Sequence, residues 1–559
     1  MRRELKGLGA APGAGLGKAY LVDARLVFPP RRITAHNAKS EVERFERAIS
    51  LAQKEFGTLT KDRRRIGAEA GELVDFEKWI LEDRALNNAV AERIKKERLS
   101  AFWAYWEETE KTSKALEASQ NSYIHDRSSD LRGVVRHVLN LLSPESSHPP
   151  ALPERAILVA RHLSPMDLFR YPAERLGGIV LAEGGTTSHL VLCAASIGLP
   201  VAVVGEQIEQ IEAESELFVD GEKGEVVVSP GEAERRTYQK FLAGRTKKQK
   251  ERLVWAKRKG ETKDGKRVYV LANLQTVEEW EEAKTAGAEG IGLFRSEFLA
   301  AGGSAFPLPE TQREAYADIL SKVAPLEVTV RAFDFGAEKV LGQEREENPA
   351  LGLRGVRLLL QYPAILKSQL KALLEAAAFG RLKVMLPMVG SLEEFHSAKK
   401  FLSGSKKKIP LGIMVELPSA AILAEAFARA ADFLSIGTND LIQYTLGVDR
   451  SNPKVAGYYE PFHPAVLRLL AGIAAAGKKF KKPVSVCGQM AADPWGIFIF
   501  AGLGISELSV PVSALVETKK TLAQVDSKQA TRTVIKILEF STAEEVKAEL
   551  KKTFPKGVR

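Results

Sequence analysis

Three regions of the chain differ in how hydrophobic and polar residues alternate. Between about residues 35 and 142, hydrophobic residues recur at the three- and four-residue spacing of amphipathic helices, without a convincing strand. The clearest stripes are Leu73, Phe76, Trp79, Ile80 and Leu81, followed by Leu131, Val134, Val135, Val138 and Leu142. We predict a helical region that ends before Pro144 and the Pro149-Pro150 pair.

Residues 151–230 instead contain short apolar segments separated by Gly, Pro and Asp turns, which is typical of β-strands. The predicted strands are Ala156–Ala160, Gly178–Leu181, Val201–Val204, Leu217–Val219 and Glu225–Val228. Lys18–Val22 is predicted to add a further strand to this compact β/α domain, which makes the helical region an insertion within it.

The start of the chain is rich in glycine, in Gly7-Leu8-Gly9 and again in Gly13–Gly17. The spacing of a dinucleotide-binding loop is absent, and a single G-x-G is weak evidence for one. We therefore expect a flexible or tightly turned segment here.

The rest of the chain alternates between strand-like and helical segments after a charged stretch, Gly231–Lys266, that is predicted to form a linker helix. The predicted strands are Val268–Leu274, Gly290–Arg295, Val328–Phe333, Lys383–Val389, Gly412–Leu417, Phe433–Thr438, Val484–Cys487 and Glu507–Val510. Eight successive strand–helix units are what a (β/α)8 barrel, or TIM barrel, requires. The predicted fold is a multidomain α/β protein: a β/α domain with an inserted helical bundle, followed by a C-terminal TIM barrel.

Composition excludes several classes of protein. No segment approaches the roughly 20 apolar residues of a membrane span, so we expect no membrane insertion. Met1–Gly7 has no apolar core behind its charges and is not expected to be a secretory signal. The two cysteines, Cys193 and Cys487, exclude a disulfide framework and fit a reducing cytosol, so a cytoplasmic location is expected.

The net charge of the chain is +10, from 81 basic and 71 acidic residues, and the basic residues are mostly dispersed. No aromatic-basic platform or known binding motif accompanies them. Solvated helix faces and loops explain this excess better than nucleic acid, and no nucleic-acid partner is expected.

Polar residues suited to one reaction follow the predicted barrel strands, where TIM barrels have their active sites. In chain order they are Arg295, Glu297, Arg331, Asp334, Glu416, Asn439, Asp440, Arg450, Cys487 and Gln489. Guanidinium groups bind phosphate and carboxylate bidentately, two carboxylates without histidine suit Mg²⁺, and a thiol can protonate an enolate. Each residue alone has an alternative as a surface ion pair or a buried thiol, but their joint placement favours a site for a small, doubly anionic substrate.

A second chemical centre is predicted at Gly184–His189, which reads Gly-Gly-Thr-Thr-Ser-His. A glycine turn that opens a helix exposes the following side chain, and His189 is suited to nucleophilic attack on phosphorus. Cys193 lies four residues further along the same helix face. A His189–Cys193 metal pair lacks further ligands nearby, so packing is the favoured role for Cys193.

Taken together, these segments resemble Enzyme I of the bacterial phosphoenolpyruvate-dependent phosphotransferase system. The resemblance covers essentially the whole chain, in the same domain order. The motifs that carry it are Gly184–His189, Gly290–Phe298, Val330–Gly336, Glu347–Gly352, Gly412–Pro418, Ser435–Tyr444, Val448–Arg450 and Val486–Gln489.

The resemblance implies a phosphoenolpyruvate–protein phosphotransferase, in which His189 carries the phosphoryl group and Cys487 protonates enolpyruvate. Glu416 and Asp440 are implied to bind Mg²⁺. The implied substrate-binding residues are Arg295, Arg331, Arg354, Asn439, Asp440 and Arg450. The implied protein partners are a small phosphocarrier of the HPr type and a second copy of the chain, which pairs through the barrel.

With these roles, the expected domain boundaries follow. Residues 1–34 supply the N-terminal strand of a swivelling phosphohistidine domain, whose main part is 146–230. Residues 35–145 form the helical phosphocarrier-binding domain, 231–266 the linker helix, and 267–559 the phosphoenolpyruvate-binding and dimerisation barrel.

The chain departs from the family pattern at three places. Thr186 replaces a usual arginine, Gln489 replaces a usual glutamate, and Gly336-Ala337-Glu338-Lys339 replaces a Gly-Gly-Asp-Lys run. The helical region is also more basic than the family's expected carrier-binding surface.

Two alternatives remain at the level of sequence. One is a relative of phosphoenolpyruvate synthase or pyruvate phosphate dikinase, although the helical region is too short for their ATP-grasp domain. The other is a non-catalytic regulator that keeps the fold.

Overall fold

The structure is a computed structural model of the 559-residue chain. It describes residues 2–22, 29–34, 37–61, 80–117, 133–143, 152–163, 165–169, 171–186, 188–300, 306–336, 346–402, 408–450, 452 and 454–554. The chain divides into two compact units, Met1–Lys247 and Lys248–Arg559. Each unit has its own hydrophobic core.

The first unit is built on a sheet of eight strands. They are β1 (Arg3–Lys6), β2 (Leu8–Ala11), β3 (Ala14–Leu21), β4 (Ala156–Ala160), β5 (Leu176–Leu181), β6 (Val201–Val203), β7 (Glu216–Asp220) and β8 (Glu225–Val228). Their order is β1-β8-β7-β3-β4-β5-β6-β2, with β3 to β6 parallel and the outer pairs antiparallel. The predicted β/α domain is confirmed, and β1 and β2 are additional to the predicted strands.

The glycine-rich start of the chain is strand, so the prediction of a flexible or tightly turned segment was wrong. Two of its glycines, in β3, are needed where backbones touch. A Cβ on Gly17 would lie 1.6 Å from the carbonyl oxygen of Arg155, and one on Gly15 would lie 2.1 Å from that of Gly177. Glycine permits this close approach because it has no side chain. A signal that usually indicates a loop therefore marks tight packing between strands.

The helical region lies between β3 and β4, which confirms that it is an insertion. Its helices are Ala38–Lys61, Arg84–Glu97, Ala101–Glu117 and residues 133–141. Asp83 begins the second of these by accepting hydrogen bonds from the N–H groups of Ala85 and Leu86. The buried members of the predicted stripes are Ile80, Leu81, Val134, Val138 and Leu142. Leu73, Phe76, Trp79, Leu131, Pro144 and Pro149-Pro150 lie outside the described residues.

Two shorter helices, Pro165–Phe169 and His189–Ser196, follow strands of the same sheet. A long helix, Glu232–Ala256, then occupies most of the segment predicted as a linker, and the division between the units falls within it. The helix is shorter than predicted. Residues after Ala256 form turns and a short bridge between Glu261 and Arg267, and the N–H of Val268 donates a hydrogen bond of 2.9 Å to the carbonyl oxygen of Gly260.

The second unit contains a closed barrel of eight parallel strands. They are β9 (Tyr269–Leu274), β10 (Ile291–Arg295), β11 (Glu327–Arg331), β12 (Arg381–Leu386), β13 (Leu411–Val415), β14 (Leu434–Ile436), β15 (Val484–Val486) and β16 (Glu507–Pro511). The barrel closes where Glu507 of β16 pairs with Tyr269 of β9. Each predicted strand overlaps an observed one, so the predicted TIM barrel is confirmed.

The helices of this unit are Glu279–Thr285, Pro309–Val323, Val356–Gln361, Pro363–Ala376, Leu392–Lys399, Pro418–Ile422, Ala424–Ala430, Thr438–Leu446, Pro464–Phe480, Pro494–Leu503, Leu515–Leu522, Ser527–Ile537 and Ala543–Thr553. Several begin at cap residues that are evident in the sequence. Ser391 and Glu394 form a reciprocal capping box, as do Thr542 and Glu545. Among the residues that the structure describes, no helix is long and apolar enough to cross a membrane.

The inside of the barrel is filled below the carboxyl ends of its strands. Leu293, Met385, Met414, Phe433 and Cys487 form one buried cluster there. The ring of Phe433 fits because position 412 is glycine, where a Cβ would lie 2.6 Å from the ring. The interior of the barrel is therefore packed with side chains, as in other barrels of this class.

Candidate active site at the barrel mouth

The carboxyl ends of the barrel strands hold a connected network of arginines and carboxylates. Arg331, the last residue of β11, contacts Glu297 and lies 3.2 Å from Asp334. Arg354 binds Asp334 through two nitrogens, at 2.8 Å and 3.3 Å. The side chains of Arg331, Asp334 and Glu297 are 7%, 3% and 13% exposed, so most of the network is shielded from solvent.

Asp440 joins the same network from the other side of the mouth. Its carboxylate lies 3.9 Å from Arg354 and 3.5 Å from Arg450. Arg450 is 41% exposed, which makes it the most accessible of these arginines, followed by Arg295 at 38%. The structure thus brings together six of the residues predicted from strand ends and motifs: Arg331, Glu297, Asp334, Arg354, Asp440 and Arg450.

Burial and charge act in opposite directions on these groups. Burial alone would raise the pKa of Asp334, but Arg331 and Arg354 outweigh it, and the pKa is lowered. Burial likewise acts to lower the pKa of Arg331, yet Glu297, Asp334 and Glu416 reverse the net shift. Both groups are therefore held in their charged forms.

Three buried polar atoms of the network have no hydrogen-bond partner among the described residues. They are Nε of Arg295, Nε of Arg331 and Oε2 of Glu297. The pKa of Arg295 is lowered, first by burial and then by the neighbouring Arg331. Unpaired guanidinium donors side by side in a buried site are expected to bind an anion, because leaving them unsatisfied costs about 1 to 3 kcal/mol each.

Glu416, just after β13, is the most deeply buried carboxylate of the site, at 1% exposure. Its Oε1 accepts a hydrogen bond of 2.5 Å from the N–H of Met388, whose φ of 55° is unusual for a residue with a side chain. Burial first, and then Asp440 and Asp334, raise the pKa of Glu416 to about 8. A bound cation would reverse this effect, because it stabilises the ionised form.

Glu416 and Asp440 are the two side chains here that suit a metal ion. Oxygen donors without histidine or cysteine favour a hard cation. Within the described part of the chain, no group of three or more His, Cys, Asp and Glu side chains could hold a metal. A cation at this pair would therefore take its remaining ligands from substrate and water, as Mg²⁺ commonly does.

Cys487 lies directly after β15 and is 7% exposed. Its sulfur accepts a hydrogen bond from Oγ of Ser435 at 3.4 Å and lies 3.5 Å from the carbonyl oxygen of Ile436. Burial is the main cause that raises the pKa of this thiol to about 11, so it is protonated at neutral pH. A protonated thiol in this position is a suitable proton donor.

Asn439 connects the ends of β14 and β15. Its Oδ1 accepts a hydrogen bond of 2.8 Å from the N–H of Gln489, and its carbonyl oxygen accepts one of 3.2 Å from the hydroxyl of Tyr459. The first of these bonds links the first turn of the helix that carries Asp440 to the segment that follows Cys487. The predicted strand-end residues on β14 and β15 are thus physically linked.

His189 is the first residue of the helix His189–Ser196, with Ser188 at its N-cap. Gly184, at φ 145°, begins the turn before it, as the sequence predicts. Thr187 and the side chain of His189 lie outside the described residues. Cys193 is completely buried, in agreement with its predicted packing role.

Comparison with known proteins identifies the family. Three family descriptions match in succession: "PEP-utilising enzyme, N-terminal" over residues 6–127, "PEP-utilising enzyme, mobile domain" over 152–224 and "PEP-utilising enzyme, PEP-binding domain" over 248–527. The phosphoenolpyruvate-protein phosphotransferase of Listeria innocua serovar 6a is 34% identical over 567 residues, or 98% of each chain. That of Bacillus subtilis strain 168 is 34% identical over 578 residues, covering 99% of this chain and 100% of its own. This chain belongs to the phosphoenolpyruvate-protein phosphotransferase family.

One solved structure, described as Enzyme I (nEIt) protein, is also similar. It is 28% identical and covers 42% of this chain and 97% of its own, with a TM-score of 0.36.

Within this phosphotransferase family, the position of Gln489 is notable. Its side chain is exposed, whereas its N–H is the group that bonds Asn439. The contact to Asn439 is made by the backbone, so it does not depend on whether the residue at this position is glutamine or glutamate. Thr186 is likewise exposed, and Ala337–Lys339 lie outside the described residues.

Strand-end reasoning missed one residue of the phosphotransferase mouth. Asn273 of β9 donates a hydrogen bond of 3.3 Å to the carbonyl oxygen of Cys487, and Oγ of Ser509 in β16 donates one of 2.5 Å to Oδ1 of Asn273. Asn273 is the one amide within the first predicted strand and lies next to its carboxyl end. The strand-end rule would therefore have identified it if it had been applied to this strand as well. Gln369, by contrast, lies on an outer helix and bonds Ser296, Tyr316 and Phe333. No local signal in the sequence points to it.

Proposed function

We propose that this protein transfers the phosphoryl group of phosphoenolpyruvate to His189, and then to a histidine of a small phosphocarrier protein of the HPr type, with release of pyruvate. This is the first step of a sugar phosphotransferase system. The observation that carries the proposal is the pair of arginines, Arg295 and Arg331, whose buried Nε donors are unpaired at the mouth of a phosphotransferase-family barrel. A substrate with both a phosphate and a carboxylate group matches that density of positive charge.

The proposed substrate site uses the side chains that converge on the mouth. We assign binding of phosphoenolpyruvate to Arg295, Arg331, Arg354, Asn439, Asp440 and Arg450, with Asp440 acting through its backbone. Arg295 and Arg331 have unpaired Nε groups, and Arg450 is exposed enough to meet an entering ligand. Guanidinium groups fixed by Glu297 and Asp334 bind without the entropy cost of ordering free side chains.

We assign Glu416 and Asp440 to Mg²⁺. The oxygen-only donor pair and the raised pKa of the buried Glu416 support a site that is completed by a cation. When bound, Mg²⁺ supplies positive charge that offsets the negative charge of the phosphoryl group.

The chain's own residues then account for the reaction. A nitrogen of His189 forms a bond to phosphorus as the bond between phosphorus and the enol oxygen breaks, and the arginines stabilise the charge that develops. The electron pair of the broken bond stays on the enolate of pyruvate. Cys487 gives its proton to the methylene carbon of that enolate, which completes pyruvate.

The proposal also covers the protein partners and the cellular location of this reaction. Residues 35–145 are proposed to bind the phosphocarrier, the barrel to form the homodimer, and the location to be cytoplasmic. The proposed reaction requires His189 to reach both the barrel mouth and the carrier. We therefore propose that the β/α domain swivels, with the helix Glu232–Ala256 as the connecting element.

The test uses the full chain with Mg²⁺ and phosphoenolpyruvate labelled in its phosphoryl group. Wild-type protein is expected to gain acid-labile label, and His189→Ala is expected to gain none. Transfer of the label to an added HPr-type protein is expected to follow. A wild-type protein that takes up no label would contradict the enzyme and favour a non-catalytic regulator, and labelling from ATP instead would favour a dikinase-like enzyme.

A further inference from the structure

Two buried serines lie beside Cys487 inside the barrel. Ser435 of β14 is 0% exposed and Ser485 of β15 is 6% exposed, and the two are paired directly across the parallel strands. The same interior holds the apolar side chains of Leu293, Met385, Met414 and Phe433. Strands covered on both faces usually carry Val, Ile or Leu, and a buried hydroxyl is costly unless it finds a partner. The presence of two serines in this apolar interior therefore requires a structural or functional explanation.

The hydroxyl groups form a short chain that ends at the thiol. Oγ of Ser485 donates to Oγ of Ser435 at 2.9 Å, and Oγ of Ser435 donates to Sγ of Cys487 at 3.4 Å. The sulfur in turn lies 3.5 Å from the carbonyl oxygen of Ile436. Because Ser485 occupies an acceptor position of the Ser435 oxygen, the hydrogen of Ser435 is left to point at the sulfur.

The charged groups that face Cys487 partly cancel. Glu416 disfavours a thiolate, whereas Arg331 and Arg295 favour one, and burial opposes ionisation more strongly than any of them. Ser435 is the group that both contacts the sulfur and favours its ionised form. A hydrogen bond to an anion is stronger than one to a neutral group, so this contact strengthens when the thiol loses its proton.

We propose that Ser435 is a positioning residue for Cys487: its hydroxyl, oriented by Ser485, donates to the sulfur and stabilises the thiolate that remains after the enolate is protonated. The inference rests on the proposed function for the reaction step. In that step the thiol proton forms the new C–H bond of pyruvate, and the S–H electron pair stays on sulfur. Water returns a proton to the thiolate before the next cycle.

The test is made on the full chain without phosphoenolpyruvate, so it does not depend on turnover. The rate of alkylation of Cys487 by iodoacetamide at one mildly alkaline pH reports the small fraction of thiolate present. Mass spectrometry of the Cys487 peptide separates it from Cys193. Ser435→Ala is expected to slow alkylation by about tenfold or more. Loss of a hydrogen bond to the thiolate should raise the pKa of Cys487 by about 1 to 2, which lowers the fraction of thiolate at a given pH by the same factor of about ten or more.

Three further variants make the result specific. Ser435→Thr keeps the hydroxyl and is expected to restore most of the alkylation rate. Ser485→Ala removes the orienting bond and is expected to slow alkylation by about threefold. Ser527→Ala is a matched control, because it also loses a half-buried hydroxyl bond, to Asp264, and is expected to leave the rate unchanged.

An unchanged rate in Ser435→Ala, or a loss that Ser435→Thr does not restore, would overturn the proposal. If Ser435→Ala does not fold, Ser485→Ala decides the matter alone, and an unchanged rate in that variant is the contradicting result. Failure of the proposed function is a separate result: it would appear as the absence of labelled phosphoryl group on His189, which the alkylation experiment does not measure.

Discussion

Arg354 holds Asp334 by two hydrogen bonds, from Nη2 to Oδ2 at 2.8 Å and from Nε to Oδ1 at 3.3 Å. The pair joins the segment after β11 to the loop before the helix Val356–Gln361, across 20 residues of chain. Asp334 also lies 3.2 Å from Arg331. One carboxylate therefore holds two arginines that we assign to the same anionic substrate, and it fixes their separation.

We predict that Asp334→Asn lowers the free energy of unfolding of the barrel by about 3 kcal/mol, because two buried guanidinium groups lose their shared counter-charge. Urea denaturation followed by tryptophan fluorescence measures the change. The lowered pKa of Asp334 means that its contribution is complete above its ordinary value of 3.8 and is lost as pH falls through the folded-state value.

The matched control for this variant is Asp318→Asn. Asp318 pairs with Lys322 at 2.7 Å on an outer helix, where the two side chains are 48% and 41% exposed. Its loss is expected to cost less than about 0.5 kcal/mol. Equal small losses in both variants would show that the buried pair contributes no more than a surface pair.

Glu416→Gln is predicted to stabilise the metal-free protein at alkaline pH. The pKa of Glu416 rises from 4.5 to about 8 on folding, so the wild type loses stability as pH increases through that interval. Glutamine keeps the oxygen that accepts from Met388 but carries no charge. Its unfolding free energy is therefore expected to change less with pH over the same interval.

Added Mg²⁺ provides the complementary measurement. It is expected to raise the urea midpoint of the wild type and to leave that of Glu416→Gln almost unchanged, because binding to the native state stabilises it. Glu425→Gln, at an exposed residue of an outer helix, is the control and is expected to respond like the wild type. An equal response in all three proteins would remove Glu416 from the proposed metal site.

Gly488→Ala is predicted to damage the site through the backbone. A Cβ at this position would lie 1.8 Å from Oγ1 of Thr438 and 2.7 Å from its nitrogen, so the segment that carries Cys487 must move. We expect kcat for pyruvate formation to fall by about 100-fold and stability by about 1 to 3 kcal/mol. Gly472→Ala, in open space on the helix Pro464–Phe480, should instead add about 0.5 to 1 kcal/mol.

Lys519→Met is predicted to destabilise the barrel where the long helix meets it. Nζ of Lys519 donates to the carbonyl oxygens of Ala256 and Gly287, at 3.0 Å and 2.6 Å, and the residue is 2% exposed. Methionine fills the same space but leaves both oxygens unpaired, which should cost about 2 to 3 kcal/mol. The neighbouring Lys520→Met loses only a pair with the exposed Glu517 and should change the urea midpoint little. Similar midpoints in the two variants would contradict the role given to Lys519.

The main features of the fold follow from the sequence. Eight short apolar segments alternate with helical ones, and each predicted barrel strand overlaps an observed strand. The strand prediction succeeded because buried parallel strands consist of consecutive apolar residues, and this pattern can be recognised from the local sequence alone. The ends of the strands were predicted less accurately. The fourth predicted barrel strand continues to Val389, but the observed strand ends at Leu386, because Pro387 and Met388, which has a left-handed backbone conformation, change the direction of the chain. The bounds of the five proposed segments remain predictions.

Strand ends also located most of the candidate site, because a closed barrel gathers the carboxyl ends of its strands at one rim. Arg295, Arg331, Glu416, Asp440 and Cys487 were all predicted in this way. Their pairing was not. Nothing in the local pattern says that Arg354 binds Asp334, or that Asn273 reaches Cys487 across 214 residues of chain.

The sequence by itself therefore determined the order of strands and helices, the barrel and the residue types at its mouth, since these depend on periodicity along the chain. Tertiary structure alone decided which carboxylate meets which arginine, which donors are left unpaired and which hydroxyl reaches the thiol. It also turned the glycine-rich start of the chain into strand, at Gly15 and Gly17. Such contacts depend on strand register and barrel closure, which join residues that are distant in sequence to within a few ångströms.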